Sequence, residues 1–175
     1  MGTIGGNICT GSPAGDTLPA LYVLEAEMVL RSAIRERKVP IDEFIKGPGQ
    51  TELQDNEILY SIQISLSKGF NLHHFEKVGQ RKALAIAIVS FAALLHIDDS
   101  IVQRARFAWG SVGPTIVQSR EVEAAVEGKK LSVSTLKAAA SLARLAVSPI
   151  SDLRATSDYR KQVAGNLLLR LATTC

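Results

Sequence analysis

The chain has 175 residues, 46% of them hydrophobic and 21% charged, with 20 Lys and Arg against 17 Asp and Glu for a net charge of +3. That length is enough for one domain or two small ones with a real core, and the apolar fraction excludes a disordered chain. The longest apolar stretch, Ala83 to Ile97, carries Ser90 and His96 and falls short of the roughly 18 uninterrupted apolar residues of a membrane span.

In chain order, the first feature is a glycine pair in Thr3-Ile4-Gly5-Gly6-Asn7, which reads as a tight turn. Consecutive glycines let backbone N–H groups approach an anion closely, because no Cβ stands in the way. Ser12-Pro13-Ala14-Gly15-Asp16 follows, and Asp16 stands before a helix expected over Thr17 to Leu24, with Pro19 in its first turn. Leu24 to Ser32 has strand character. Pro40 to Ile45 predicts a helical turn ended by Lys46-Gly47-Pro48-Gly49. Glu57 to Leu66 is a strong strand pattern, in which Ile58, Tyr60, Ile62, Ile64 and Leu66 alternate with Leu59, Ser61, Gln63 and Ser65. The texture changes at Ser67-Lys68-Gly69, so the boundary between two units is placed there, 1–68 and 69–175.

In the second half Leu72 to Val78 reads as a strand, and Val89 to Ile97 with Ile101 to Trp109 as a hairpin about Asp98-Asp99-Ser100. Ala83 to Ile88 admits a helix before the strand at Val89, which periodicity alone does not settle. Arg120 to Glu127 predicts a short helix with Ser119 as N-cap and Gly128 as its stop. Leu136 to Ala146 and Asp158 to Leu171 predict longer helices, the last capped by Ser157. Strands and helices are segregated rather than alternating, so the fold class is α+β.

Several chemistries are excluded or demoted at this point. The glycine pair matches neither G-x-G-x-x-G nor a Walker loop, and no G-x-S-x-G elbow occurs. Thr3 and Asn7 can add side-chain donors to phosphate oxygens beside the glycines, while Asp16 can cap its helix or accept from a ribose hydroxyl. His73-His74 on a strand point to opposite faces and are poor metal ligands as a pair. Cys9 and Cys175 form no framework or ligand pattern, which implies a reducing, cytoplasmic setting without a zinc or iron–sulfur site of the chain's own. The start of the sequence has no secretion-signal pattern. Basic residues are dispersed and aromatics make up 5%, so nucleic acid is not the expected partner. Trp109 reads as packing, and Arg154 and Arg160 as partners of Asp152 and Asp158 or as docking residues.

The ordered set of motifs resembles the FAD-binding (medium) subunits of the molybdenum hydroxylase family, the xanthine dehydrogenase, aldehyde oxidase and aerobic carbon monoxide dehydrogenase group. The residues carrying the resemblance are Thr3 to Asn7, Ser12 to Asp16, Phe44-Ile45-Lys46-Gly47-Pro48-Gly49-Gln50-Thr51, Asp55 to Leu59, and Phe75-Glu76-Lys77-Val78-Gly79-Gln80-Arg81-Lys82-Ala83. Gly110-Ser111-Val112-Gly113-Pro114-Thr115 and Ser148-Pro149-Ile150-Ser151-Asp152-Leu153-Arg154 extend it to nearly the whole chain.

The resemblance implies the second lobe of a PCMH-type FAD-binding domain over 1–68 and a carbon monoxide dehydrogenase flavoprotein-like C-terminal domain over 69–175. Thr3, Ile4, Gly5, Gly6 and Asn7 would cradle the FAD pyrophosphate. Asp16 would hold the adenosine-side ribose, Leu59 would pack near the isoalloxazine, and Lys77 would be the lysine at the flavin, where a cation favours the reduced ring. No catalytic or metal-ligating residue is implied. Molybdopterin and two [2Fe–2S] clusters would reside in partner subunits, with electrons passing through FAD to NAD, oxygen or a quinone. The resemblance also implies that the earlier FAD lobe is absent, so that the isolated chain is expected to bind FAD weakly or not at all. The second reading is a truncated assembly module that docks to the molybdenum and iron–sulfur subunits without holding FAD tightly.

Overall fold

A computed structural model describes residues 2–65, 69–81 and 84–173. The boundary placed at Ser67-Lys68-Gly69, the end of the strand pattern at Leu66, and Lys82-Ala83 of the motif fall wholly or partly outside these residues. The elements of the first half are α1 (Ile4–Cys9), α2 (Leu18–Val23), β1 (Glu27–Arg31), β2 (Glu36–Pro40), α3 (Ile41–Phe44), β3 (Ile45–Gly47), β4 (Gln50–Thr51) and β5 (Ile58–Gln63). Those of the second are β6 (Leu72–Val78), β7 (Val89–Asp98), β8 (Ile101–Gly110), α4 (Arg120–Val126), α5 (Val133–Ala146) and α6 (Ser157–Leu169), the last running into a short 3-10 turn at Arg170–Thr173. The sheets are small and antiparallel, ordered β2-β1-β5, β3-β4 and β6-β7-β8. The α+β expectation holds.

Several local expectations need correction. The glycine segment is not a turn but the short helix α1, because Thr3 caps it: its Oγ1 accepts from the Gly6 N–H at 3.0 Å. A Cβ on Gly6 would itself lie 3.0 Å from that oxygen, so glycine there leaves room for the cap. Asp16 does not cap α2; Thr17 occupies that position and makes no side-chain cap bond. Residues 84–88 are not helical. Thr156, not Ser157, caps α6, and α5 starts at Val133 behind Ser132. The strand β2 carries mostly charged residues and had no periodic signal.

The β5 pattern holds as a strand, but its apolar face is not the buried one. Ile58 and Tyr60 are 61% and 52% exposed. Opposite β1 the register slips between Val29 and Leu30, so that Ser61 pairs with Val29, Leu59 with Leu30, and Tyr60 is left over. This bulge breaks the two-residue alternation. Leu59 and Ile62, three apart, therefore both pack on the first core, with Met28, Leu30 and Phe44. Tyr60 lies outside, under the Arg31 guanidinium at 3.2 Å from its ring centre.

The β6-β7-β8 sheet binds the two halves together. Phe91, Ala93, Leu95, Phe107 and Trp109 face the core made with α4, α5 and α6, while Ala92, Leu94 and Ala108 face α2 and the first core. Burial on both faces explains why β7 reads as a near-continuous apolar run. Its turn to β8 holds Asp99 and Ser100, both at positive φ, in the two-residue form that matches strand twist. Trp109 is a packing residue, as expected, and its indole N–H donates to the Ala164 carbonyl at 3.1 Å.

The outer edge of β8 is closed by α4. Glu123 and Glu127, one helical turn apart, accept from the N–H groups of Phe107 and Ala105, both at 3.1 Å. A rise of about 6 Å over four helical residues matches the roughly 6.7 Å between alternate strand residues, so one helix face caps two free strand donors. Arg120 ties both carboxylates together. Burial pushes Glu123 above the ordinary carboxylate range, while the Arg120 guanidinium holds Glu127 below it.

Candidate functional site

The residues singled out in the sequence lie on elements from both halves. α1 starts at the surface behind Thr3 and touches β5, the strand of Leu59. Asp16 precedes α2. Lys77 is on β6, on the face it shares with Phe75 and His73, opposite Ser90, Ala92 and Leu94 of β7. On that side of the sheet α2 packs over β7 and β8 and leaves His73 and Phe75 exposed, while Asp16, in front of α2, reaches Lys77. Its Nζ donates to Asp16 Oδ2 at 2.6 Å, across 61 residues of sequence. The pair is reachable from solvent, with Lys77 26% and Asp16 50% exposed at the side chain.

At α1 the donors divide into used and unused. Asn7 N–H bonds to Thr3 O, and Gly6 N–H to the Thr3 hydroxyl. The N–H groups of Ile4 and Gly5 find no acceptor among the described residues, and a Cβ on Gly5 would meet nothing within 4 Å. The Asn7 side-chain oxygen Oδ1 accepts from the Thr17 hydroxyl at 2.6 Å and from the Thr17 N–H at 3.4 Å. Thr17 stands just outside the Ser12 to Asp16 motif, and its place next to Asp16 is the one signal the sequence carries for it. Open backbone donors beside a glycine without neighbours, with the Asn7 amide next to them, fit the phosphate groups of a dinucleotide such as FAD. Asp16 and Lys77 offer one acceptor and one cation to the same neighbourhood once their mutual bond is shared or opened. Leu59 is half-buried in the first core and presents packing, not chemistry.

Other candidates resolve as structural. Arg154 and Arg160 both pair with Asp152, at 2.9 and 2.8 Å. Arg160, 3% exposed, also donates to the carbonyls of Ile88 and Ser111, which ties α6 to the loops leading out of the sheet. Those loops and Ser12-Pro13-Ala14 line a cleft of about 280 Å³. His74 packs its ring against Phe91, and His73 is exposed on the opposite face. No group of three or more His, Cys, Asp or Glu able to hold a metal occurs among the described residues. Cys9 is half-buried and its thiol is pushed up by burial, so it is not an activated nucleophile. Among the described residues no helix is long and apolar enough to cross a membrane.

Comparison with known proteins assigns both halves. Residues 1–66 match the model for the FAD binding domain in molybdopterin dehydrogenase, and residues 74–175 the model for the CO dehydrogenase flavoprotein C-terminal domain. The chain belongs to the FAD-binding medium subunits of the molybdenum hydroxylase family. Among its relatives is the glyceraldehyde dehydrogenase medium chain of Sulfolobus acidocaldarius, 32% identical over 97% of this chain and 60% of that one. The xanthine dehydrogenase FAD-binding subunit of Escherichia coli O157:H7 is 29% identical over 91% of this chain and 55% of its own length. The fold superposes on carbon monoxide dehydrogenase from Hydrogenophaga pseudoflava with a TM-score of 0.90 at 32% identity, covering 99% of this chain and 60% of that one. The chain thus spans 60% and 55% of the length of these two curated relatives.

Proposed function

We propose that this chain supplies one side of an FAD site and acts as the electron-transferring flavin component of a molybdenum-containing hydroxylase or dehydrogenase. The observation that carries the reading is the meeting of Asp16 and Lys77. Two residues from separate motifs, one in each half, lie 2.6 Å apart, and Thr17, next to Asp16, bonds to Asn7 of α1. FAD, when bound, supplies the acceptance of electrons one or two at a time and their release to an external acceptor. The chain's residues bind and orient it. Ile4 and Gly5 N–H, Asn7 and the Thr3 hydroxyl hold phosphate oxygens, and Gly6 keeps the Thr3 cap in place. Asp16 accepts from a ribose hydroxyl. Leu59 packs beside the ring system, and Lys77 sets the charge around it.

The division of labour places the FAD lobe over 1–68 and the flavoprotein C-terminal domain over 69–175, with the α2-to-sheet contact holding them in register. On this reading the partners are a molybdenum cofactor subunit and a [2Fe–2S] subunit, NAD is one class of acceptor, and the setting is cytoplasmic. The family membership of both halves supports FAD binding over the assembly-only alternative. Titrating the chain with FAD, followed by flavin fluorescence, tests this. Because the chain supplies only one side of the site, weak but saturable binding that ADP displaces is expected, and the absence of saturable binding would overturn the reading.

A further inference from the structure

We infer that Thr17 is a positioning residue: it fixes the side-chain amide of Asn7 so that its nitrogen, not its oxygen, is presented to a phosphate-bearing ligand. The inference rests on the flavin reading above and adds a residue to it. Two donors on one residue decide the orientation. The Thr17 backbone N–H can only donate, and it lies 3.4 Å from one terminal atom of the Asn7 amide. That atom is therefore the oxygen. The Thr17 hydroxyl donates to the same oxygen at 2.6 Å.

With Oδ1 held twice, the Nδ2 amine is left with two N–H donors and no acceptor among the described residues. A free asparagine turns its amide over and presents either end; here the reversed state would set an NH2 group against an N–H. The donor end is thus selected in advance, and an anionic oxygen need not supply the cost of ordering it. Thr17 can do this because Asp16, immediately before it, is turned away to Lys77 rather than spent on capping α2. Thr17 itself makes no side-chain cap bond, so its hydroxyl is available to reach across ten residues to α1.

The test uses the full chain and three variants, reading FAD and ADP dissociation constants alongside the thermal midpoint. Thr17→Val removes the hydroxyl at nearly constant volume and should weaken both ligands up to about tenfold, the worth of one neutral hydrogen bond. Thr17→Ser should restore binding. Asn7→Asp keeps an oxygen facing Thr17 but replaces the presented donor by a negative oxygen. It should abolish binding while keeping the thermal midpoint of the wild type. Asn7→Asp that binds as the wild type does, or Thr17→Val that binds normally, would overturn the assignment and leave the flavin reading standing. Loss of binding in Thr17→Val that serine does not restore would reduce Thr17 to a packing residue. A wild-type chain that binds neither FAD nor ADP would overturn the flavin reading, and the inference with it.

Discussion

Lys77 on β6 and Asp16 before α2 form an ion pair of 2.6 Å between segments 61 residues apart, across the surface where the first half of the chain meets the second. Neither residue has a local reason to be where it is. The pair exists because α2 packs over β7 and β8 on the side of the sheet that Lys77 shares across β6.

Half-exposed pairs of this kind contribute less than about 1 kcal/mol to stability, because solvent screens them and two side chains must be ordered. Lys77→Met and Asp16→Asn should therefore each leave urea unfolding nearly unchanged, with a small coupling term in the double variant. FAD binding should fall in both. A large stability loss with unchanged FAD binding would mark the pair as a structural clamp instead.

The sharper electrostatic contribution to folding is predicted at Glu57. Its side chain is almost fully buried and accepts from Arg37 Nε and Nη2, both at 2.8 Å, and from the Gln54 N–H at 3.2 Å. The Arg37 guanidinium holds its pKa down to about 2 from an ordinary 4.5. A folded-state pKa below the unfolded one means that the stabilisation is complete above pH 4.5 and is lost as pH falls towards 2. Thermal midpoints measured across that window should drop in the wild type and drop less steeply in Glu57→Gln. Parallel curves for the two proteins would show that Glu57 is not the titrating group.

Glu123 has the opposite sign. Burial raises its pKa, so its charge is a burden at neutral pH that is relieved as pH falls through the folded value. Glu123→Gln keeps an oxygen for the Phe107 N–H and sheds the charge; stability at pH 7 should hold or rise. Glu123→Ala leaves that strand N–H without its acceptor and should cost about 1–3 kcal/mol. Equal losses in the two variants would show that the carboxylate's charge, and not its oxygen, seals the edge of β8.

Local chemistry made much of the fold legible. The β7–β8 hairpin and its Asp98-Asp99-Ser100 turn followed from alternation around a polar turn, and α4 from Ser119 and Gly128, which carry the N-cap bond and the positive φ that end it. The departures have two separate causes. Thr3-Ile4-Gly5-Gly6-Asn7 reads as a turn because two glycines oppose a helix, yet a single cap bond from Thr3 to Gly6 outweighs that penalty over one turn. The strand β5 shows apolar alternation, but the bulge at Tyr60 decides which residues face the core, and a bulge depends on the partner strand β1. Of the candidate site, Thr3 to Asn7, Asp16, Leu59 and Lys77 were named from their motifs. Thr17 was not, because its importance lies in what it touches.

The sequence by itself determined the class of fold and the family, since these rest on the segregation of strand and helix patterns and on motif order along one chain. Only the tertiary structure decided that Asp16 meets Lys77 instead of capping α2, that Thr17 turns the Asn7 amide, and that Glu123 and Glu127 close the edge of β8. Each of these depends on which faces of distant elements come into contact. That is set by burying both faces of β7 at once, and no local window of sequence carries it.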